Sequence, residues 1–535
     1  MKIIICDPIS PKGIALLQQR PEFNVVVLEK TPTEDELCAM VGDATALLVR
    51  SETKVTKKVI AAAKQLKVVG RAGVGVDNVK VEDATQHGVV VMNTPLGNMV
   101  TTAELAFALM MALARKVPQA AAGLTGGKWL RKELAKDGVE LQGKTLGIIG
   151  LGRIGSEVAK RAIAFGMKVV AYDPFLPEDR AKAIGATLAD LDQVYREADF
   201  ITLHNLVTDE TRGMLNAAAF AKMKPNVRIV NCARGEVINE NDLIAALESK
   251  KVAGAALDVF AKEPLPADHP YIAQAAKGNL ILTPHLGAST KEAQEKCGIE
   301  VAEIVIAYLL TGEVRNAVNL PYLDAKTSEQ VKPYLPLGEA LGKLLAQLST
   351  GADKLHITYG GNAKNLTNID PVTRAILQGF MSTSNLKDVN NVNVRSVAQG
   401  IGITVEEKKS DEPVTFNEWV HVQAFSGGKK LISAGGTFFG SPNNPRIVRL
   451  YSQAVEIPVT GTLLLLNNAD KPGIVGHLGT VLAKHKVNIA SMSLGRDTAG
   501  GLALTVLSLD SVPPQAVLDE LKKDTDISNV KVVTL

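Results

Sequence analysis

The sequence predicts an α/β protein in which two doubly wound parallel-sheet domains are followed by two smaller α+β units. Three observations carry that expectation. Up to about Leu320, short apolar runs alternate with amphipathic helical stretches, and the long helix TTAELAFALMMALARKV splits the alternation into two series. After NLPYLD the pattern changes to short strands and glycine-rich turns. From Gly461 onward the chain reads strand, helix, strand, strand, helix, strand.

The first series is MKIIICD, FNVVVLE, ATALLVR, LKVVGRAG and GVVVMN. Unbroken apolar runs of this length suit strands buried on both faces of a parallel sheet. The second series is KTLGIIG, MKVVAYD, DFITLH, NVRIVNC, VAGAALDV and GNLILTP. Repeated strand–helix alternation implies right-handed crossovers, and two such series imply two α/β domains with a cleft between them. KLHITYGGN, NVRSVAQGIGITVEEKK and ISAGGTFFGSPNNPRIVRL then predict a separate α+β domain. GTLLLLNN, GIVGHLGTVLAKH, VNIASMSLG, GLALTVLSLD, PQAVLDELKK and VKVVTL follow the ferredoxin-like β-α-β-β-α-β order.

Length and composition agree. A chain of 535 residues exceeds one core, and about 100–200 residues per domain gives three or four. A net charge of +3 offers no case for a nucleic-acid partner. Cys6, Cys38, Cys232 and Cys297 are scattered, without a C-x-x-C pair, which argues against a metal site or disulfide framework and fits a reducing compartment. The N-terminal apolar run is broken by Asp7 and Pro8 and reads as a strand, not a signal peptide. AELAFALMMALAR carries Glu104 and is too short to span a bilayer. A cytoplasmic protein without a membrane partner is expected.

Within KTLGIIGLGRIGSEVAKRAIAFGMKVVAYD, Gly150, Gly152 and Gly155 form G-x-G-x-x-G around Arg153 and Ile154. The motif alone is weak. Here it follows an apolar strand, opens a helix, and precedes a second strand ending in Asp173, which completes the dinucleotide fingerprint of a Rossmann domain. Gly150 permits the turn, Gly152 lets the backbone approach a pyrophosphate, and Gly155 allows helix–strand packing. Helix N–H groups favour the phosphate charge. Asp173 suits the ribose hydroxyls and would repel a 2′-phosphate, while Pro174 and Phe175 supply no arginine. NAD is therefore expected over NADP.

Three polar residues stand at later strand ends: Arg234 in RIVNCARGEV, Glu263 in FAKEPLP and His285 in LTPHLGAST. Singly, each has a plain structural explanation: an ion pair, a solvated carboxylate, a packed histidine. Together, after a dinucleotide fingerprint, they match what oxidation of a 2-hydroxy acid requires. Arginine binds a carboxylate bidentately, histidine titrates near working pH, and an adjacent carboxylate orients it.

G-L-G-R-I-G, N-C-A-R-G, A-L-D-V-F-x-x-E-P and T-P-H-L-G-A-S-T resemble the signature set of the D-isomer-specific 2-hydroxyacid dehydrogenases. The resemblance implies that Arg234 binds the substrate carboxylate, His285 is the acid/base and Glu263 its partner. It also implies that Asp258 contacts the nicotinamide carboxamide, and that His204, Cys232, His285 and Gly287 line the cofactor. A flavodoxin-like substrate domain (1–97 and 288–320) would then hold an inserted NAD domain (98–287). Two departures stand out. The family's H-x-P is His204-Asn205-Leu206 here, and Glu236 replaces a second glycine after N-C-A-R-G.

VRSETKV (Arg50, Ser51, Thr53, Lys54) and GRAGVGVDNV (Arg71, Gly73, Val74) resemble the substrate loops of the family's phosphoglycerate-oxidising branch. Trp129, Arg131 and Lys132 are similar to a segment that reaches toward a neighbouring subunit, so a homodimer or homotetramer is expected. GTFFGSPNNPRIVRL resembles that branch's intervening domain (321–457), and NNADKPGIVGHLGTVLAKHKVNIASMSLGR an ACT regulatory domain (458–535). The resemblance implies that Asn468, Asp470 and Asn488 hold L-serine. The expectation is NAD-dependent oxidation of D-3-phosphoglycerate to 3-phosphohydroxypyruvate, the first step of serine biosynthesis, under serine feedback. The alternatives are another D-2-hydroxyacid dehydrogenase and an NAD-sensing corepressor-like scaffold.

Overall fold

The computed structural model describes residues 1–535 apart from 322, 324, 384–385, 387–388, 441–443 and 497. Tyr322 and Asp324 of NLPYLD, and Ser441, Pro442 and Asn443 of GTFFGSPNNPRIVRL, therefore lie outside the described residues.

The first sheet has five strands: β1 (Lys2–Ile5), β2 (Asn24–Val27), β3 (Ala44–Val49), β4 (Val68–Arg71) and β5 (Val90–Asn93). All pairings are parallel, in the order β2-β1-β3-β4-β5, which is the flavodoxin-like order. All six β3 residues are buried, and full burial of Leu47, Leu48 and Val49 stabilises by roughly 1.5–3 kcal/mol each. The helix Lys291–Thr311 returns to this sheet, where Val301, Ala302 and Val305 share a core with Ile3, Leu48 and Val90.

The second sheet has seven strands: β6 (Thr145–Ile149), β7 (Lys168–Tyr172), β8 (Thr187–Leu188), β9 (Phe200–Leu203), β10 (Val227–Asn231), β11 (Val252–Leu257) and β12 (Leu280–Leu282). Their order is β12-β11-β10-β9-β6-β7-β8, parallel throughout. The strand order reverses between β6 and β9, the switch point at which open α/β sheets bind ligands. At two residues, β8 is too short to show as an apolar run. The helix Met99–Arg115 packs Ala106, Met110 and Leu113 against Ile148, Val230 and Ala256.

The third sheet comprises β13 (Lys354–Gly361), β14 (Thr404–Lys409), β15 (Glu418–Ser426), β16 (Lys429–Phe438), β17 (Pro445–Leu450) and β18 (Gln453–Pro458). Only β13 and β14 pair in parallel. The sequence suggested short strands, yet β16 runs for ten residues. The helices Tyr334–Leu348 and Asp370–Met381 cover one face.

The fourth sheet, β19 (Thr462–Ala469), β20 (Ile489–Arg496), β21 (Leu502–Leu509) and β22 (Ile527–Thr534), is antiparallel in the order β20-β21-β19-β22. One face packs on the helices Ile474–Lys484 and Gln515–Leu521. On the other, Leu463, Leu465 and Val533 join the core of the third sheet. Asn390 Nδ2 donates to the Gly88 carbonyl at 2.9 Å, tying the third unit to the first. Among the described residues, no helix is long and apolar enough to cross a membrane.

Candidate active site

The fingerprint turn sits at the switch point between β6 and β9. Gly150 has φ 92°, and a Cβ there would lie 2.8 Å from the His204 carbonyl and the Asn205 nitrogen. A Cβ on Gly155 would meet the Gly150 oxygen at 2.2 Å, whereas one on Gly152 meets nothing within 4 Å. The helix Arg153–Ala164 starts with no side-chain cap and no acid in its first turn. Its first N–H donors are thus left for a ligand. Arg153 and Ile154 form that first turn, with Ile154 packed on the core. The Asp173 carboxylate accepts from the amides of Leu151 and Phe175, both at 3.0 Å, which fixes it beside the glycine turn.

Buried polar atoms at the same edge lack partners. His204 Nε2 bonds Thr202 Oγ1 at 2.9 Å, but its Nδ1 and the Asn205 Oδ1 have none. Burial lowers His204 to about 4, so the ring is neutral. Unsatisfied buried groups of this kind call for an occupant, and the turn, the open face of Gly152 and Asp173 fit NAD. The missing proline is replaced by side-chain bonds: Asn205 Nδ2 and Thr211 Oγ1 both donate to the Leu206 carbonyl.

Arg234 leaves the end of β10 after Asn231, whose side chain bonds the Ala233 amide and the Arg234 carbonyl and so closes the turn. Its guanidinium reaches across to the first domain. A Cβ on Gly75 would touch it at 2.0 Å, and it pairs with Asp77 at 3.0 Å. Asp77 carried no sequence signal. Cys232 is buried and burial raises its thiol far above the usual range, leaving it inert. Glu236 is half-buried in the turn Gly235–Val237, where its carbonyl accepts from Gly213 N. Among the described residues its carboxylate forms no ion pair.

His285 Nδ1 lies 2.6 Å from Glu263 Oε2, and the other carboxylate oxygen accepts from Phe260 N at 3.0 Å. The bond to Glu263 raises the His285 pKa against the opposing effect of burial. Burial raises Glu263, but the bonds from His285 and Phe260 outweigh it and leave the carboxyl below its ordinary value. Asp258 is fully buried and accepts from Thr283 Oγ1 and the amides of Leu286 and Gly287. It therefore anchors the turn on which His285 stands at φ 53°. Thr102 donates to the Gly287 carbonyl, fastening that turn to the Met99–Arg115 helix.

A cleft of about 500 Å³ opens between the two parallel sheets, lined by Arg50, Ser51, Arg71, Gly73, Glu263 and His285. Burial, and then the nearby charge of Arg234, lower the pKa of Arg71, although Arg234 is not itself among the lining residues. Arg71 Nε is buried without a partner. Asp7 builds the Arg50 loop, accepting from Arg50 N and from Thr53 Oγ1. Val74 is held beside it, its carbonyl bonded by Asn93 Nδ2 at 2.6 Å. Lys54 is exposed and absent from the lining. Lys291, Gln294 and Cys297 of the returning helix complete the wall, and sequence reading missed them although their helix follows directly on the His285 turn, because the helical pattern does not show which of its faces meets the cleft.

The three residues expected to hold serine, Asn468, Asp470 and Asn488, do not converge within one chain. Asn468 is buried and bonds Thr505 Oγ1 at 2.7 Å. Asp470 pairs with Arg496 and accepts from Gly500 N. Asn488 bonds Asp510, next to Leu509, which pairs with Thr462 at the opposite end of β19. About six residues of strand, roughly 20 Å, separate the two ends. Trp129 is 76% exposed.

Three family models match the chain: the D-isomer specific 2-hydroxyacid dehydrogenase NAD-binding domain over 107–287, the D-3-phosphoglycerate dehydrogenase intervening domain over 330–451, and the ACT domain over 462–526. The D-3-phosphoglycerate dehydrogenase of Synechocystis is 43% identical across all of this chain and 95% of its own length. That of Archaeoglobus fulgidus is 41% identical, covering 100% of both chains. Among solved structures, NAD-bound 3-phosphoglycerate dehydrogenase of Entamoeba histolytica matches 60% of this chain and 99% of its own, at TM-score 0.51 and 29% identity. A glyoxylate reductase from Paecilomyes thermophila matches 59% and 98%, at TM-score 0.54 and 30% identity. The chain belongs to the D-isomer-specific 2-hydroxyacid dehydrogenases, in the D-3-phosphoglycerate dehydrogenase branch that carries intervening and ACT domains, and it is an NAD-dependent oxidoreductase.

Proposed function

We propose that this protein oxidises D-3-phosphoglycerate to 3-phosphohydroxypyruvate, with Arg234, Glu263 and His285 as its catalytic residues. The observation that carries this reading is a cleft lined by the Glu263–His285 pair, Arg50 and Arg71, with the Arg234 guanidinium near enough to act on the charges of Arg71 and His285. A substrate bearing a carboxylate and a phosphate uses all three arginines. Arg234 takes the carboxylate, because a guanidinium fork matches it bidentately. Arg50 and Arg71 take the phosphate, with Ser51, Gly73 and Val74 shaping the loops. Bound NAD supplies the hydride acceptor. His285 removes the hydroxyl proton through Nε2, since Nδ1 is occupied by Glu263, whose charge stabilises the resulting imidazolium.

Serine acts as a feedback effector in this reading. Because Asn468 and Asn488 stand at opposite ends of β19, the effector site is one that two ACT domains build together, which makes the protein a homo-oligomer.

NADH formation with 3-phosphoglycerate, compared with D-lactate and D-glycerate, tests the substrate. Turnover of D-lactate or D-glycerate without turnover of the phosphorylated acid would sink the assignment. Serine at millimolar concentration lowers the rate; an unchanged rate would remove serine from the reading and leave the catalytic assignment standing.

A further inference from the structure

A second cavity, of about 600 Å³, opens at the amino ends of β6, β9, β10 and β11, the edge of the sheet opposite the cofactor turn. Arg228 and Lys116 line it, and they are only 9% and 8% exposed. Among the described residues neither forms an ion pair. Arg228 bonds the carbonyls of Asn226 and Asp137 at 3.4 and 3.2 Å and lies over the Phe200 ring at 5.6 Å. Lys116 reaches the Gly278 carbonyl at 3.4 Å. Five guanidinium and three ammonium N–H donors are thus met by three long carbonyl contacts. Burying a charge without a counter-charge is costly, so an anion bound here would relieve that cost.

The surroundings reinforce this. Lys136, Lys144, Lys250 and Lys277 add four cations to the lining, against the carboxylates of Asp137 and Asp199. Asp199 is already held by Lys224 at 3.1 Å and by the Thr145 amide, while Lys277 pairs with Glu248. Asp137 is close enough to counter the lowering that burial imposes on Lys116 and Arg228, but it contacts neither with its carboxylate. Three lining residues, Lys116, Asn226 and Lys250, take left-handed φ of 54°, 64° and 60°.

We propose that this cavity is a second anion site, remote from the catalytic cleft, that takes a phosphate-bearing ligand on Arg228 and Lys116. The bound phosphate supplies the missing counter-charge and accepts the unused N–H donors, with the lysines forming the rim.

The test uses the full-length protein saturated with NADH, so that the dinucleotide site is filled. Orthophosphate, pyrophosphate and ADP are titrated against thermal unfolding and by calorimetry, with R228Q and K116M beside the wild type. Phosphate binding in the catalytic cleft contributes equally to all three proteins, so the difference reports the second site. Wild type is expected to gain a binding event that R228Q and K116M weaken at least tenfold, with turnover near normal. K136E/K144E, altered only at the rim, weakens the same event and serves if a core variant fails to fold. ADP binding more tightly than pyrophosphate would identify a nucleotide as the ligand, and equal or tighter pyrophosphate binding would identify free phosphate. Identical titrations in wild type and every folded variant would overturn the proposal.

Discussion

Substituting Gly152 by alanine separates the cofactor's demands from those of the fold, with Gly155→Ala as its counterpart. In the protein a Cβ on Gly152 meets nothing within 4 Å, and its φ of −69° is open to alanine. The cost to the fold is that of alanine at a helix N-cap, under about 1 kcal/mol. A pyrophosphate resting on the turn would meet the new methyl and lose at least one amide contact. Hydrogen bonds to charged groups contribute about 1.5–3 kcal/mol, which converts to a roughly 10- to 150-fold rise in the Kd for NADH. Gly155→Ala does the reverse. Its Cβ falls 2.2 Å from the Gly150 oxygen, so the turn must open by about 1 Å, and overpacking of that kind costs about 1–3 kcal/mol. NADH fluorescence titration and thermal unfolding read the two effects. G152A binding NADH as tightly as wild type would refute the placement of the phosphates on this turn.

Glu263→Gln removes the charge that raises the His285 pKa, so His285 should lose its proton at lower pH. Oxidation needs the neutral ring, and the acid limb of its kcat/KM profile should move to lower pH. Reduction needs the protonated ring, and its alkaline limb should move the same way. Limbs that stay in place while the maximum falls would reduce Glu263 to packing. Asp77→Asn frees Arg234 from a carboxylate that is 77% exposed, an exchange worth about 0–1 kcal/mol. KM should fall by up to about fivefold with kcat unchanged; a rise would mean that Asp77 positions the guanidinium for the substrate.

What could be read from the sequence was local or periodic. The fingerprint was legible because three glycines answer to contacts within one strand–turn–helix unit, and the strands because parallel sheets bury whole runs such as ATALLV. The third sheet was harder. In β13, buried Leu355, Ile357 and Tyr359 alternate with half-exposed His356 and Thr358, so each strand carries half the apolar signal. Partnerships across the chain were not legible at all. Nothing near Arg234 announces Asp77, and nothing in VNIASMSLG shows that Asn488 lies a strand's length from Asn468. Asp258 shows the same limit differently: family resemblance through ALDVF implied a cofactor contact, but nothing in the sequence announced the three donors its carboxylate takes from the His285 turn.

The Arg234–Asp77 pair bears on how the cleft receives a substrate. The arginine stands on the second sheet and its partner on the first domain, so this ion pair spans the gap the substrate enters. An exposed, monodentate pair contributes little, whereas a carboxylate held by both arms of the fork gains about 1.5–3 kcal/mol from charged hydrogen bonds. Under the proposed assignment of Arg234, the substrate carboxylate therefore displaces Asp77. In that assignment Arg234 keeps a carboxylate against its guanidinium at each stage, which limits its desolvation cost. The neighbouring Glu236 is no rival for the same fork in this arrangement: Asp77 holds the guanidinium, and Glu236 instead ties the turn to Gly213 through its backbone.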